Sequence, residues 1–299
     1  MFEKVLFSTD FSEYAKSALD CIAGFPGARD VILLHVCEEA RSPRGGGEIG
    51  GIFLRTCANL IREEKRHLET LGRNLRVTTV VKTSSDIAGA ILETAEEKGV
   101  TLIVVGARGN SLVEGILLGS VSMAVLRRAR TSVLIMRHKI VEDLSGKSYE
   151  LFCPMILCRV LCPIDFSRYS DHAIALLRAM KGVGEVILLH VVSRGESEGE
   201  IEGAVRAAKG QMESIQGSFA AQGINARAIV RTGNPALEIT RAADEEDVSV
   251  IWMSSKGKSW VRELLLGSTA YTVAMNAKRP VIILRTPEGR GMEEAEISG

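Results

Sequence analysis

The chain repeats itself, and this limits the folds open to it. KVLFSTDFSEYAKSAL at 4–19 matches RVLCPIDFSRYSDHAI at 159–174, and DVILLHV at 30–36 matches EVILLHV at 185–191. GSVSMAVLRRARTSVLIMR at 119–137 matches GSTAYTVAMNAKRPVIILR at 267–285. Asp10 pairs with Asp165 and His35 with His190 at an offset of 155, whereas Gly109 pairs with Gly257 and Gly119 with Gly267 at 148. The second copy therefore loses seven residues, and the Gly-rich stretch RSPRGGGEIGG at 41–51 is the obvious place to lose them. That stretch reads as a flexible connector, because clustered glycines cost order. Two copies in 299 residues make two domains of ordinary size, expected at 1–138 and 157–287, with a linker at 139–156 and a polar tail at 288–299.

Within each copy, strand and helix signals alternate. In the first copy VLFST, VILLHV, LRVTTVV, TLIVVG and SVLIM are short apolar runs rich in β-branched residues. Helix-like stretches separate them: SEYAKSALDCIAG, FLRTCANLIREEKRHLETLG, DIAGAILETAEEKG and SVSMAVLRRA. Strands apolar on both faces imply a parallel sheet covered on both sides. Right-handed crossovers then make each copy a doubly wound, Rossmann-like α/β layer.

Charge and composition remove several functions. Lysine plus arginine equals aspartate plus glutamate, 37 against 37, and only 5% of residues are aromatic. Neither a nucleic-acid partner nor an anionic membrane surface is favoured. No apolar run reaches the roughly 18 residues of a membrane span. The N-terminus turns polar too early for a signal peptide, so the expected compartment is the cytoplasm, where disulfides are uncommon. Of the cysteines, Cys153, Cys158 and Cys162 are close in sequence but lack metal-ligand spacing, and Cys162 reads as a core residue. No metal ligand and no catalytic residue is assigned.

Doubly wound sheets bind ligands at the carboxyl ends of their strands, where strand order reverses. Asp10 ends the first strand, Val36 the second and Gly106 the fourth. Glycine at 106 and 109 admits positive φ and lets main-chain N–H groups approach phosphate closely. Gly119 and Ser120 open the next helix, whose first N–H groups lack intrahelical partners and whose dipole favours an anion. Ser120 and Ser122 add hydroxyl donors. Asp10 suits a sugar hydroxyl or an adenine amino group rather than phosphate. Val36 offers main-chain groups to a base edge and an apolar face to its ring. Taken singly, each glycine is equally a turn and each serine equally a cap.

Two look-alikes fall away. Gly257-Lys258-Ser259 and Gly146-Lys147-Ser148 resemble the end of a P-loop, but the required upstream glycines are Trp252 and Val141. Arg108 and Lys256 occupy matched loop positions, where a cation either neutralises phosphate or stands in solvent. Glu114 reads as a surface residue, and His35 and His190 as packing residues.

The spacing G-x2-G-x9-G-S, filled by Gly106, Gly109, Gly119 and Ser120, resembles the ATP-binding motif of the universal stress protein family. VLFSTDFSEYAKSAL resembles the family's first strand and helix, with Asp10 at the adenosine-contacting position. VILLHV resembles its second strand, with Val36 at the base-contacting position. The resemblance runs along nearly the full length of both copies. It implies five-stranded parallel sheets with helices on both faces, and it implies ATP, or AMP or ADP, as ligand; Mg2+ is admitted as a companion. The contacts it implies in the first copy also include Ser8, Thr9, Val105 and Val121. In the second copy they are Asp165, Val191, Gly257, Gly267, Ser268 and Thr269. There Ser254 replaces the first motif glycine, so triphosphate binding is expected to weaken while an adenosine pocket persists.

Family members often dimerise through their last strands. By analogy a tandem chain would make that pair internally, SVLIM against VIILR, leaving a further homodimer and any protein partner open. Three functions remain. A regulatory nucleotide binder would retain unhydrolysed ATP. A slow ATPase or phosphotransferase would release phosphate at a rate that falls with Ser120→Ala. A ligand-free scaffold would show no thermal shift with any adenine nucleotide.

Overall fold

The computed structural model describes residues 2–38, 48–71, 75–107, 118–143, 146–152, 155–193, 198–258 and 266–286. The first copy contains β1 (Lys4–Ser8), α1 (Glu13–Ala23), β2 (Asp30–Glu38), α2 (Glu48–Leu71) and β3 (Arg76–Ser84), then α3 (Ile87–Glu97), β4 (Leu102–Gly106), α4 (Ser120–Arg128) and β5 (Ser132–Met136). A hairpin, β6 (Lys139–Asp143) and β7 (Gly146–Glu150), follows. The second copy contains β8 (Arg159–Ile164), α5 (Arg168–Ala179), β9 (Glu185–Val192), α6 (Glu198–Ala220) and β10 (Asn225–Thr232), then α7 (Pro235–Glu245), β11 (Val250–Ser254), α8 (Ser268–Asn276) and β12 (Val281–Leu284).

Helices start where the sequence supplies caps. Ser12 Oγ accepts from the N–H of Ala15, and Asp86 from that of Gly89. Ser167 and Ser170 form a reciprocal capping box, and Asn234 caps a helix that opens on Pro235. Strands form where consecutive residues are apolar. Along β1, Val5 and Phe7 enter the core on one face of the sheet and Leu6 the core on the other. Burial of each such side chain contributes roughly 1.5–3 kcal/mol.

All ten main strands lie in one sheet, in the order β10-β9-β8-β11-β12-β5-β4-β1-β2-β3. Each copy contributes five parallel strands, and the copies join where β12 runs antiparallel to β5, with Ile282 opposite Leu134. SVLIM and VIILR therefore lie edge to edge. The chain moves from β1 outward to β2 and β3, then returns to β4 and β5 on the other side of β1. The strand order thus reverses between β1 and β4.

Two segments differ from expectation. The stretch 139–156, read as a linker, holds the β6–β7 hairpin, and Gly146–Ser148 are strand residues in it rather than loop residues. The Gly-rich stretch 41–51 is not all connector, since α2 begins at Glu48 and runs through Gly50 and Gly51. A 24-residue helix with its inner side docked on the sheet tolerates about 1 kcal/mol per glycine. Residues 41–47 lie outside the described residues.

Candidate ligand site at the strand ends

The site is built where β1, β2 and β4 end. Ser8 closes β1 half-buried, and Thr9 follows it almost fully buried. The Thr9 N–H donates to Leu34 O at 2.9 Å, tying the exit of β1 to β2. Its hydroxyl donates to Glu64 Oε1 on α2 at 2.7 Å and accepts from the N–H of Phe11 at 3.0 Å. Asp10 follows, half-buried, with Oδ1 accepting from the N–H of Ser12 at 3.1 Å and Oδ2 buried. Phe11 makes this turn with φ of 61°, and Phe166 repeats it at 57° beside Asp165. Such a backbone costs an aromatic residue on the order of 1 kcal/mol or more. Each ring is held against a histidine, Phe11 on His35 with centroids 4.3 Å apart and Phe166 on His190 at 4.4 Å.

The other wall is the junction of β4 and α4. Val105 is buried opposite Ile135 in β5, and Gly106 is the last strand residue, opposite Met136. Its φ is not positive, so the left-handed turn expected of Gly106 is not what glycine supplies there. Gly109, Arg108 and Glu114 lie outside the described residues. Gly119 is the N-cap of α4 and, as a glycine, gives the first-turn amides no side-chain cap of its own. Its own N–H donates to Ala107 O at 2.7 Å, which pins the helix start to the end of β4. A Cβ here would sit 3.6 Å from Ala107 O, an ordinary contact. Among the described residues nothing demands glycine at 119, and a glycine N-cap leaves the first-turn amides without a side-chain cap of its own. Ser120 is exposed and Val121 half-buried. Ser122 is buried, and its hydroxyl donates to Gly106 O at 2.6 Å. In this structure its single proton is donated to that carbonyl.

Val36 is buried in β2 opposite Lys82, and Val191 is half-buried in β9 opposite Arg231. The second copy repeats the frame with different detail. Gly267 caps α8 without a side-chain bond and donates to Ser255 O at 2.7 Å, and Ser268 is exposed and Thr269 half-buried. Ser254, in place of the glycine, donates its hydroxyl to Lys256 O at 2.7 Å. The loop then closes on the aspartate. Asp165 accepts from Ser167 Oγ at 2.6 Å, from the N–H of Ser167 at 3.1 Å and from the N–H of Lys258 at 2.8 Å. A Cβ at Gly257 would meet Asp165 Oδ2 at 2.5 Å, so the loop lies flush against the carboxylate. Burial pushes the Asp165 carboxyl up, but the Ser167 and Lys258 donors outweigh it and hold it below the usual range. The Lys256 and Lys258 ammonium groups sit over the Tyr169 and Phe166 rings.

Three features escaped the sequence reading. The left-handed Phe11 had a signal, since DFS stands in both copies. Glu64 had none, because nothing in a helix pattern marks one glutamate as buried. Burial pushes its carboxyl up to about 7, against the hydrogen bond from Thr9. The third is a pair of facing thiols, Cys37 and Cys57, with sulfurs 3.7 Å apart. Cys162 is buried in β8 as expected, while Cys158 is in a disulfide and offers no thiolate. Among the described residues no helix is long and apolar enough to cross a membrane.

Comparison with known proteins gives one family. The model of the universal stress protein family matches residues 1–137 and again 158–285. A universal stress protein of Methanocaldococcus jannaschii is 30% identical over 152 residues, which is 42% of this chain and 94% of that protein. Among solved structures, a universal stress protein of Archaeoglobus fulgidus aligns over 94% of this chain and 96% of its own, with a TM-score of 0.69 and 22% identity. A Pseudomonas aeruginosa structure described as a putative universal stress protein aligns over 95% and 93%, with a TM-score of 0.64 and 17% identity. At those identities the two structures speak for the fold alone.

Proposed function

Since the chain belongs to the universal stress protein family, carrying its domain twice, we propose that the first copy binds an adenine nucleotide and acts as a regulatory module. The observation that carries this is the start of α4. The first-turn amides behind the glycine cap at 119, fixed to the end of β4 by the 2.7 Å bond to Ala107 O, stand beside the strand reversal that Asp10 closes from β1. Unpartnered N–H groups and the positive end of a helix dipole suit phosphate. Asp10 accepts from ribose hydroxyls, and Val36 lines the base. ATP, AMP and ADP share these parts, and Mg2+ would be carried by the phosphate oxygens themselves. The second copy keeps the helix start, but Ser254 stands where the first copy has Gly106, so it is the weaker or silent half.

Titration of the full chain with ATP and AMP tests this, together with mass analysis of small molecules released from the purified protein. One adenine nucleotide per chain is expected, retained without hydrolysis. Asp10→Asn keeps the acceptor for the Ser12 N–H but should weaken binding about tenfold, the size of one charged hydrogen bond. Asp165→Asn should leave affinity unchanged. Two equivalents per chain, equal effects of the two variants, or steady phosphate release would overturn the reading.

A further inference from the structure

Behind Val36, the end of β2 carries a separate group of donor atoms. His35, Cys37 and Cys57 offer one imidazole nitrogen and two sulfurs, all within 4.8 Å of one another. Both cysteines are buried and His35 is half-buried. Residues 35 and 37 share a strand face by alternation, and α2 packs Cys57 against that face. The two thiols are free, with Sγ atoms 3.7 Å apart. Sulfurs bound about 2.3 Å from one tetrahedral ion stand about 3.8 Å apart, so the pair already has that spacing. His35 Nδ1 lies 2.9 Å from Thr9 O. A carbonyl only accepts, so Nδ1 carries the proton and Nε2 keeps the lone pair. Metal-ligating histidines are commonly oriented by this kind of bond.

The second copy separates packing from ligation. His190 Nδ1 lies 2.7 Å from Ile164 O and stacks on Phe166, so the histidine belongs to the frame of both copies. The thiols do not. Val192 stands at the position of Cys37. The inward residues Cys57, Ile61, Glu64 and Leu68 of α2 match Ala208, Met212, Ile215 and Phe219 of α6 in spacing, which puts Ala208 opposite Cys57. We infer that His35, Cys37 and Cys57 form a site for a thiophilic d10 cation, Zn2+ or Cu+, present in the first copy only. Two sulfurs and an imidazole select such ions over Mg2+ or Ca2+. On binding, each thiol releases its proton to solvent and each sulfur donates an electron pair to the ion; nothing is oxidised or reduced.

The full chain, freed of metal without reductant so that the Cys158 disulfide stays closed, is titrated with Zn2+ against a chromogenic chelator. A second arm uses Cu+ without oxygen. One equivalent of one or both ions is expected, with release of two protons per ion. Cys37→Val and Cys57→Ala should each lower affinity on the order of 100-fold, while His190→Gln should not change it. Both cysteine variants install the residue the second copy already folds with, and an unchanged thermal transition verifies this. Bound ion should also protect Cys37 and Cys57 from alkylation, located by mass. Uptake of neither ion, unaltered affinity in both cysteine variants, or protection of Cys21 or Cys162 instead would overturn the site.

Discussion

Glu64 is only 5% exposed, and its Oε1 accepts the Thr9 hydroxyl. Burial raises its carboxyl from an ordinary 4.5 to about 7 in the folded chain. Between those values the folded state holds a proton that the unfolded chain has lost, so stability falls as pH rises through that window. The loss is on the order of 2 kcal/mol, at about 1.4 kcal/mol per pH unit over part of the interval. Glu64→Gln has no proton to lose, and denaturant melts at pH 5 and pH 8 should show its stability nearly flat while the parent declines. An equal decline in both would place the titrating group elsewhere. Asp10, Gly119 and Ser120 were legible as a motif because their chemistry depends on order along the chain. Glu64 meets Thr9 across 55 residues, so no local pattern announces the pair.

At the scale of elements, the joint between β4 and α4 matters most. Three bonds make it: Ala107 N to Met136 O at 2.8 Å, Gly119 N to Ala107 O at 2.7 Å, and Ser122 Oγ to Gly106 O at 2.6 Å. Ser122→Ala would leave the Gly106 carbonyl without that donor, at about 1–2 kcal/mol. A fall of that size in denaturant melts is expected, with nucleotide affinity changed less than by Asp10→Asn; the reverse ranking would mean that the hydroxyl serves the ligand. The second copy keeps two of these bonds as Ser255 N to Leu284 O and Gly267 N to Ser255 O, so the joint belongs to the repeated unit. Strand and helix runs could be read from apolar periodicity, the five strands of the first copy among them. The β6–β7 hairpin could not, because its short polar strands carry no apolar pattern.

Across the whole molecule, two buried arginines hold the copies together. Arg137 follows β5 and donates to Ala274 O at the end of α8, at 2.7 Å; Arg285 follows β12 and donates to Leu126 O at the end of α4, at 2.6 Å. Each cation thus meets the negative end of a helix in the other copy. Arg137→Met and Arg285→Met should each lower stability by about 2 kcal/mol through the carbonyls left unpaired, read as lowered thermal midpoints. Unshifted midpoints would mean that the other seam contacts, the β5–β12 ladder and Arg127 on Tyr271 among them, carry the joint. The order of residues alone established a duplicated, parallel, doubly wound unit, because apolar periodicity and repetition are properties of the sequence itself. Folding in three dimensions decided the rest. It merged the copies into one sheet, closed the loop of the second onto Asp165, and brought Cys57 of α2 to Cys37 of β2. Those outcomes depend on which side chains meet across tens of residues, and packing, not sequence proximity, selects them.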